Sequence, residues 1–239
     1  MEIHRIIQVG VPLYRYDLTE PPKEGWSQEY KSPIYCWDDA GPKNEIGAFF
    51  FFDNKREAIE VGNNALVQKE NMIKRYNPDL SIWITKTIIK AKLNILDLSE
   101  CKDIIDLYRV LWNEQINIFR DDFYRFDYLR GSRPLSIIKD DVSYIASHTE
   151  GRKTREWSEC KYNIDTFCNY SDEINTLSYA FQGLTDFSNG KIFKNLLEAK
   201  GLEGYIFQET DAKTFCLFNS EKLSIPVVTQ ILRKTKGDN

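Results

Sequence analysis

The stretch GAFFFFDNKREAIEVGNNAL, residues 47–66, holds a six-residue apolar run that stops at Asp53-Asn54 and passes at once into a small-residue helix. A continuous run of this length, Phe49 to Phe52, fits a strand covered on both faces. Asn54 followed three positions later by Glu57 resembles a capping box, with Asn in place of the usual Ser or Thr. The following Ala58, Val61, Gly62, Ala65 and Leu66 recur at helical spacing. That inner face is mostly small, so the helix can approach a sheet closely. A buried strand that ends so abruptly is expected to open onto a binding cleft.

Working outward, residues 5–16 (RIIQVGVPLYRY) read as extended chain broken by Pro12, and residues 17–33, with Pro21, Pro22, Gly25 and Pro33, as a loop. PIYCW at 33–37 is a short strand candidate. LSIWITKTIIKAKLNILDLS at 80–99 is one long strand or two short ones. Asp103 to Phe119 is expected to be a helix with Ile104, Leu107, Leu111 and Ile118 on one stripe. Further helices are expected at 134–147 and near 171–183 and 189–199. Strands are expected at 202–209, 214–219 and 222–232, followed by a solvated tail. A strand-rich start, a helical middle and a strand-rich end predict an α+β fold. The expectation is one domain over residues 1–239 with a mostly helical insertion at about 100–200.

The 239 residues are 42% hydrophobic and 13% aromatic, which supports a sizeable core and argues against disorder. With 32 lysines and arginines against 36 acids there is no global basic field, so duplex nucleic acid is not an obvious partner. The five cysteines (Cys36, Cys101, Cys160, Cys168 and Cys216) are odd in number and lack C-x-x-C spacing, which reads as reduced thiols in a cytoplasmic protein. No signal peptide and no membrane span are evident. The two histidines, His4 and His148, lie in no recognisable motif, so no metal site is expected.

The order VPLYRY, GAFFFFDNKREAIEVGNNAL, IWITKTIIKAKLNILDLS and GLEGYIFQETDAKTFCLFNSEKLSI resembles the ADP-ribosyltransferase superfamily over roughly residues 8–99 and 200–226. The resemblance implies a split β-sheet core. It also implies mono-ADP-ribosyl transfer from NAD, used as substrate without a metal, to a macromolecular acceptor, in the manner of a toxin or effector. The acceptor would be protein more readily than nucleic acid, and an antitoxin or other regulatory protein is a possible partner. Arg15 takes the first-strand position that contacts NAD phosphate or ribose in the family. A guanidinium suits pyrophosphate oxygens in bidentate geometry. Tyr14, Phe51 and Phe52 would line the cofactor pocket, although Phe52 stands where the family has Ser or Thr. Thr214 occupies the position of the catalytic Glu, and a threonine cannot supply negative charge. Glu209 and Asp211, expected in the loop between the strands at 202–209 and 214–219, are the acids placed to stabilise the oxocarbenium-like transition state, as carboxylates do in glycosidases.

Other readings stand beside this one. Tyr14, Tyr35, Phe51 and Phe52 could simply fill a core, and Arg15 could sit in a surface ion pair. The basic segment EGRKTREW at 150–157 could stack and bind single-stranded nucleic acid, or be a solvated loop. The alternative function is a catalytically silent module of the same fold that binds a nucleotide, nucleic acid or protein partner. A third is an unrelated α+β enzyme with its site in the 120–160 region.

Overall fold

The computed structural model describes residues 3–21, 26, 48–102, 104–114, 116, 188–209 and 211–232. The expected strand at 33–37, the helices at 134–147 and 171–183, the basic segment at 150–157, His148, Cys36, Cys160, Cys168 and most of the expected insertion lie outside these residues. The fold is α+β. One eight-stranded mixed sheet has the order β1-β5-β6-β7-β3-β2-β4-β8. Its strands are β1 (His4–Ile7), β2 (Pro12–Asp17), β3 (Phe49–Phe52), β4 (Ile82–Ile88), β5 (Leu93–Asp97), β6 (Gly204–Glu209), β7 (Ala212–Leu217) and β8 (Val227–Ile231). The helices are α1 (Lys55–Gln68), α2 (Glu70–Ile73), α3 (Ile104–Asn113) and α4 (Ser188–Glu198). All neighbouring strands run antiparallel except β5 and β6, which are parallel.

The four phenylalanines form β3, inside the sheet between β7 and β2. Because side chains alternate across a strand, they divide between two cores. Phe49 and Phe51 join Leu13, Ile95, Ile206, Phe215 and Leu217 on one face. Phe52 joins Ala58, Leu66, Ile82, Ile84 and Ala212 on the other, beneath α1. Phe49, Phe51 and Phe52 are buried and Phe50 is half-buried, so the expectation of a doubly covered strand holds for three of the four. On the first face Trp26 lies edge-on to both Phe49 and Phe51, and its Nε1–H donates to the Ser224 carbonyl at 3.2 Å. Further along the helix face, Tyr205 packs on Phe207 and on Phe193 of α4.

The helix expected after Asn54 is present, and its start differs in detail from a capping box. Asn54 Oδ1 accepts from the N–H of Arg56 at 2.8 Å, which satisfies one of the otherwise orphaned first-turn donors. α1 ends without a basic last turn.

The extended chain expected over 5–16 is two strands at distant places in the sheet: β1 is an edge strand beside β5, and β2 lies between β3 and β4. Gly10, at φ +94°, makes the turn between them, a conformation glycine adopts without steric cost. Pro12 opens β2, a strand position where its missing N–H is tolerated. The 80–99 stretch is likewise two strands, β4 and β5. The expected loop between Gln208 and Lys213 is instead a tight hairpin, because Gln208 pairs with Lys213 and Glu209 with Ala212. Cys101 and Cys216 are buried thiols. Among the described residues no helix is long and apolar enough to cross a membrane.

Close contact between α1 and β2 depends on Gly62. A Cβ there would lie 2.9 Å from the Cβ of Tyr16, an atom tied to its backbone and unable to swing away. Gly62→Ala gains about 1 kcal/mol of helix propensity but forces α1 off the sheet. Overpacking of this kind costs about 1–3 kcal/mol. The expected outcome in urea unfolding is a lower midpoint for Gly62→Ala despite the better helix former.

Candidate functional site

Polar residues enter the sheet at one place in particular. In β2 the aromatic Tyr14 and Tyr16 alternate with Arg15 and Asp17. Tyr14 and Tyr16 pack toward α1, so Arg15 and Asp17 share the opposite face with Leu13. Their neighbour on β4 is Thr85, which pairs in register with Arg15. Arg15 is nearly buried and Asp17 almost wholly so, with side chains 16% and 2% exposed. The Arg15 Nε–H donates to Asp17 Oδ1 at 3.1 Å, and Nη2 lies 2.9 Å from the same oxygen. Both contacts therefore converge on one carboxylate oxygen. Arginine–carboxylate pairs more often use both.

Among the described residues, Asp17 Oδ2 and the hydroxyls of Thr85 and Thr19 form no well-aligned hydrogen bond, although the Thr85 hydroxyl lies close enough to the Asp17 carboxyl to favour its charge. A buried polar group left unmade costs about 1–3 kcal/mol. Burial pushes the Asp17 carboxyl above the ordinary aspartate value, outweighing the Arg15 charge, the Arg15 hydrogen bond and the nearby Thr85 hydroxyl, which pull it down. The end of β2 is pinned by Asn77. Its Nδ2 donates to the Leu18 and Ser81 carbonyls at 3.1 and 2.6 Å, and its Oδ1 accepts from the Ser81 N–H at 3.0 Å.

The ladder beside this pair is incomplete. β2 and β3 share a single register pair, Tyr14 with Phe52. β3 meanwhile pairs with β7 along all four of its residues, and β2 with β4 along all six of its own. The two halves of the sheet thus meet at one point, with Arg15 the next residue along β2.

A second polar group lies toward the other edge of the same face. Asp97, at the end of β5, accepts from Arg5 at 2.7 Å and from the N–H and hydroxyl of Ser99 at 3.0 and 2.6 Å. Burial pushes this carboxyl up, but the Ser99 bonds, Arg5 and the charge of Lys213 outweigh it and hold it below the ordinary value. Lys213 is tied to the end of β3: its N–H donates to Asp53 Oδ1 at 3.2 Å, and its carbonyl accepts from the Asp53 N–H at 3.1 Å.

The residues singled out from the sequence fall into three groups. Arg15 and Phe51 belong to the Asp17 face. Tyr14, Phe52 and Thr214 form a line across β2, β3 and β7 on the helix face, since Tyr14 pairs with Phe52 and Phe52 with Thr214. There Phe52 and Thr214 are buried. Glu209 ends β6, paired with Ala212, and Asp211 is exposed in the hairpin turn. β2 and the β6–β7 hairpin are not direct neighbours, because β3 runs between them. Asp17 and Thr85 were missed. For Asp17 the signal was present in YRYD, where Arg15 and Asp17 alternate with tyrosines in a strand that otherwise carries no charge. His4, which lies in no recognisable motif, bonds Glu114 at 2.6 Å.

No protein-family model matches the chain, and neither a curated protein nor a solved structure matches it.

The depressed Asp97 carboxyl makes a pH prediction. A carboxylate held below its ordinary 3.8 contributes stability above that pH and loses it as pH falls through the folded value. Asp97→Asn is expected to lower stability by about 1–3 kcal/mol at pH 7. In urea unfolding at stepped pH, its difference from the native chain should shrink on acidification below 3.8. The raised Asp17 carboxyl has the opposite sign. Its ionisation in the fold is the unfavourable event, so its contribution is greatest at low pH and falls as pH rises through the folded value.

Proposed function

We propose that the chain is a divergent mono-ADP-ribosyltransferase with the split sheet of that superfamily, moving ADP-ribose from NAD to a macromolecular acceptor. The observation that carries this reading is the adjacency of β2, β3 and β7. These strands hold three of the four motifs behind the resemblance, and they come from residues 12–17, 49–52 and 212–217. The single joining pair between β2 and β3 also supports it, since a sheet parted beside Arg15 offers a place for a dinucleotide.

Arg15 and Glu209 fall on opposite faces of the sheet, since Glu209 pairs with Ala212 of the helix-face cluster. NAD with its phosphates at Arg15 would therefore have to pass around the Asp53 end of β3 to bring its nicotinamide ribose to the β6–β7 hairpin. Three strand spacings separate β2 from β6, about 15 Å. In the transfer, the bond between nicotinamide and the ribose C1′ breaks and its electron pair leaves with nicotinamide. An acceptor nucleophile then bonds C1′ and gives up its proton. Glu209, with Asp211 beside it at the hairpin, is the carboxylate assigned to the developing ribosyl cation.

A second reading, a binding module without catalysis, is favoured by two buried residues. Phe52 and Thr214 stand where the family places a polar contact and the catalytic Glu, and both lie in packed interior.

Incubation of the purified chain with labelled NAD and a cell lysate separates the two. Transfer predicts released nicotinamide and labelled bands, with Glu209→Gln slowing both by about 10²–10³-fold at unchanged thermal stability. NAD binding without nicotinamide release selects the binding module. Absence of both NAD binding and release excludes the two readings together.

A further inference from the structure

We infer that β8 is the seam of a two-fold dimer, in which two copies of this chain join edge to edge and continue the sheet across the boundary. The sheet ends at β8, whose one strand neighbour among the described residues is β4. An edge strand presents a row of backbone N–H and C=O groups, and folded chains ordinarily blunt it with charge, proline or a cover. The opposite edge is blunted in this way: β1 carries His4 and Arg5, both exposed, which hold Glu114 and Asp97. β8 reads VVTQI and carries no charge and no proline. Pro226 stands just before it, so it limits the ladder without interrupting it. Apolar side chains also gather at this edge. Ile225, Val227 and Leu232 are 77%, 63% and 65% exposed, and Ile88, at the end of neighbouring β4, is exposed as well.

The residues of β8 fit a second copy of themselves. In an isologous antiparallel pair centred on Thr229, each Val227 faces the partner's Ile231 and Thr229 faces its own equivalent. Cross-strand pairs of β-branched residues and of threonines are favourable. These pairs lie on the α1 face, since Thr229 is in register with Ile84 and Ile231 with Ile82. Ile231 is only partly buried against the core on that face, and the partner's Val227 would cover it further. On the other face Val228 meets the partner's Gln230, while Gln230 of its own strand already donates its amide to Ser81 at 3.0 Å. The charged residue in register with Val227 is Lys86, one strand back from the seam on β4. The two copies of Lys86 would stand at least three strand spacings apart, about 14 Å, beyond the screening length of about 8 Å. A five-residue strand covers less than the standard interface of about 800 Å² per partner, so the dimer is expected to be weak, with a Kd of about 10–100 µM.

The test is sedimentation equilibrium of the full chain from about 1 µM to about 1 mM, with amide hydrogen exchange of β8 at both ends of that range. The native chain is expected to pass from monomer to dimer, and exchange over Val227–Ile231 to slow several-fold at the high concentration. Thr229 is exposed, and Thr229→Lys sets two cations face to face across the two-fold axis. It should weaken the dimer by about 10-fold, with the melting temperature of the dilute protein unchanged. Thr229→Glu should do the same, and an equimolar mixture of the two variants should dimerise at least as tightly as the native chain. A native chain that stays monomeric at the highest concentration overturns the proposal. A native dimer that both variants leave intact uses another surface and also overturns it, as does β8 exchange that is independent of concentration. Should either variant fail to fold, the exchange measurement on the native chain decides.

Discussion

β3 is only four residues long, yet the sheet depends on how it is held. On one side every residue of β3 pairs with β7, and on the other only Phe52 pairs with β2. Backbone bonding therefore joins the two halves weakly, and side-chain burial has to supply what the ladder does not. The phenylalanines do this from both faces. Phe52 anchors beneath α1 with Leu66 and Ile84, while Phe49 and Phe51 anchor under Trp26 with Leu13 and Phe215. Full burial of one such side chain stabilises by about 1.5–3 kcal/mol, so three of them outweigh the missing ladder bonds. Leu13 on β2 and Phe51 on β3 share one cluster, so the halves cohere through packing rather than through hydrogen bonds.

Two aspartates on one face of this sheet illustrate opposite ways of burying a carboxylate. Asp97 is surrounded by donors: Arg5 serves one oxygen, and the N–H and hydroxyl of Ser99 serve the other. Its charge is favoured. Asp17 is given donors at one oxygen only, and burial wins. Removing one partner of a buried ion pair is strongly destabilising, whereas a well-packed apolar replacement of the whole pair is often neutral or better. Arg15 and Asp17 are thus poor candidates for residues kept for stability alone. Asp97 reads as structure, closing the turn after β5, whereas Asp17 is held by Arg15 and Thr85 against the cost of its burial.

Much of the fold was legible in the sequence where local chemistry is decisive. The Phe run, the Asn54 cap, the small inner face of α1 and the two C-terminal strands all carry their own signals. What was not legible depended on distance along the chain. Nothing in RIIQVGVPLYRY tells that its first half pairs with Leu93–Asp97 while its second half sits three strands beyond β6. Gly10 and Pro12 mark a break but not its destination. The same holds for the site. Arg15 was visible as a cation in an apolar strand, whereas Asp17 became visible as its partner only once side-chain parity was followed through Thr19. Thr85 could not have been found, because its relevance comes from register with a strand 70 residues earlier. The loop expected at 208–213 failed for a simple reason: polar residues at 208, 209 and 211 look like a loop, yet a two-strand ladder accepts them at its exposed end.

The seam at Tyr14–Phe52 also bears on how the protein can deform. Cooperative units in a folded chain open where the fewest bonds must be broken, and among the sheet's junctions this is the one with a single register pair. Amide protons flanking it would exchange by a local parting of the halves rather than by global unfolding. The same parting would briefly admit solvent or solute to a carboxylate that the closed sheet keeps dry.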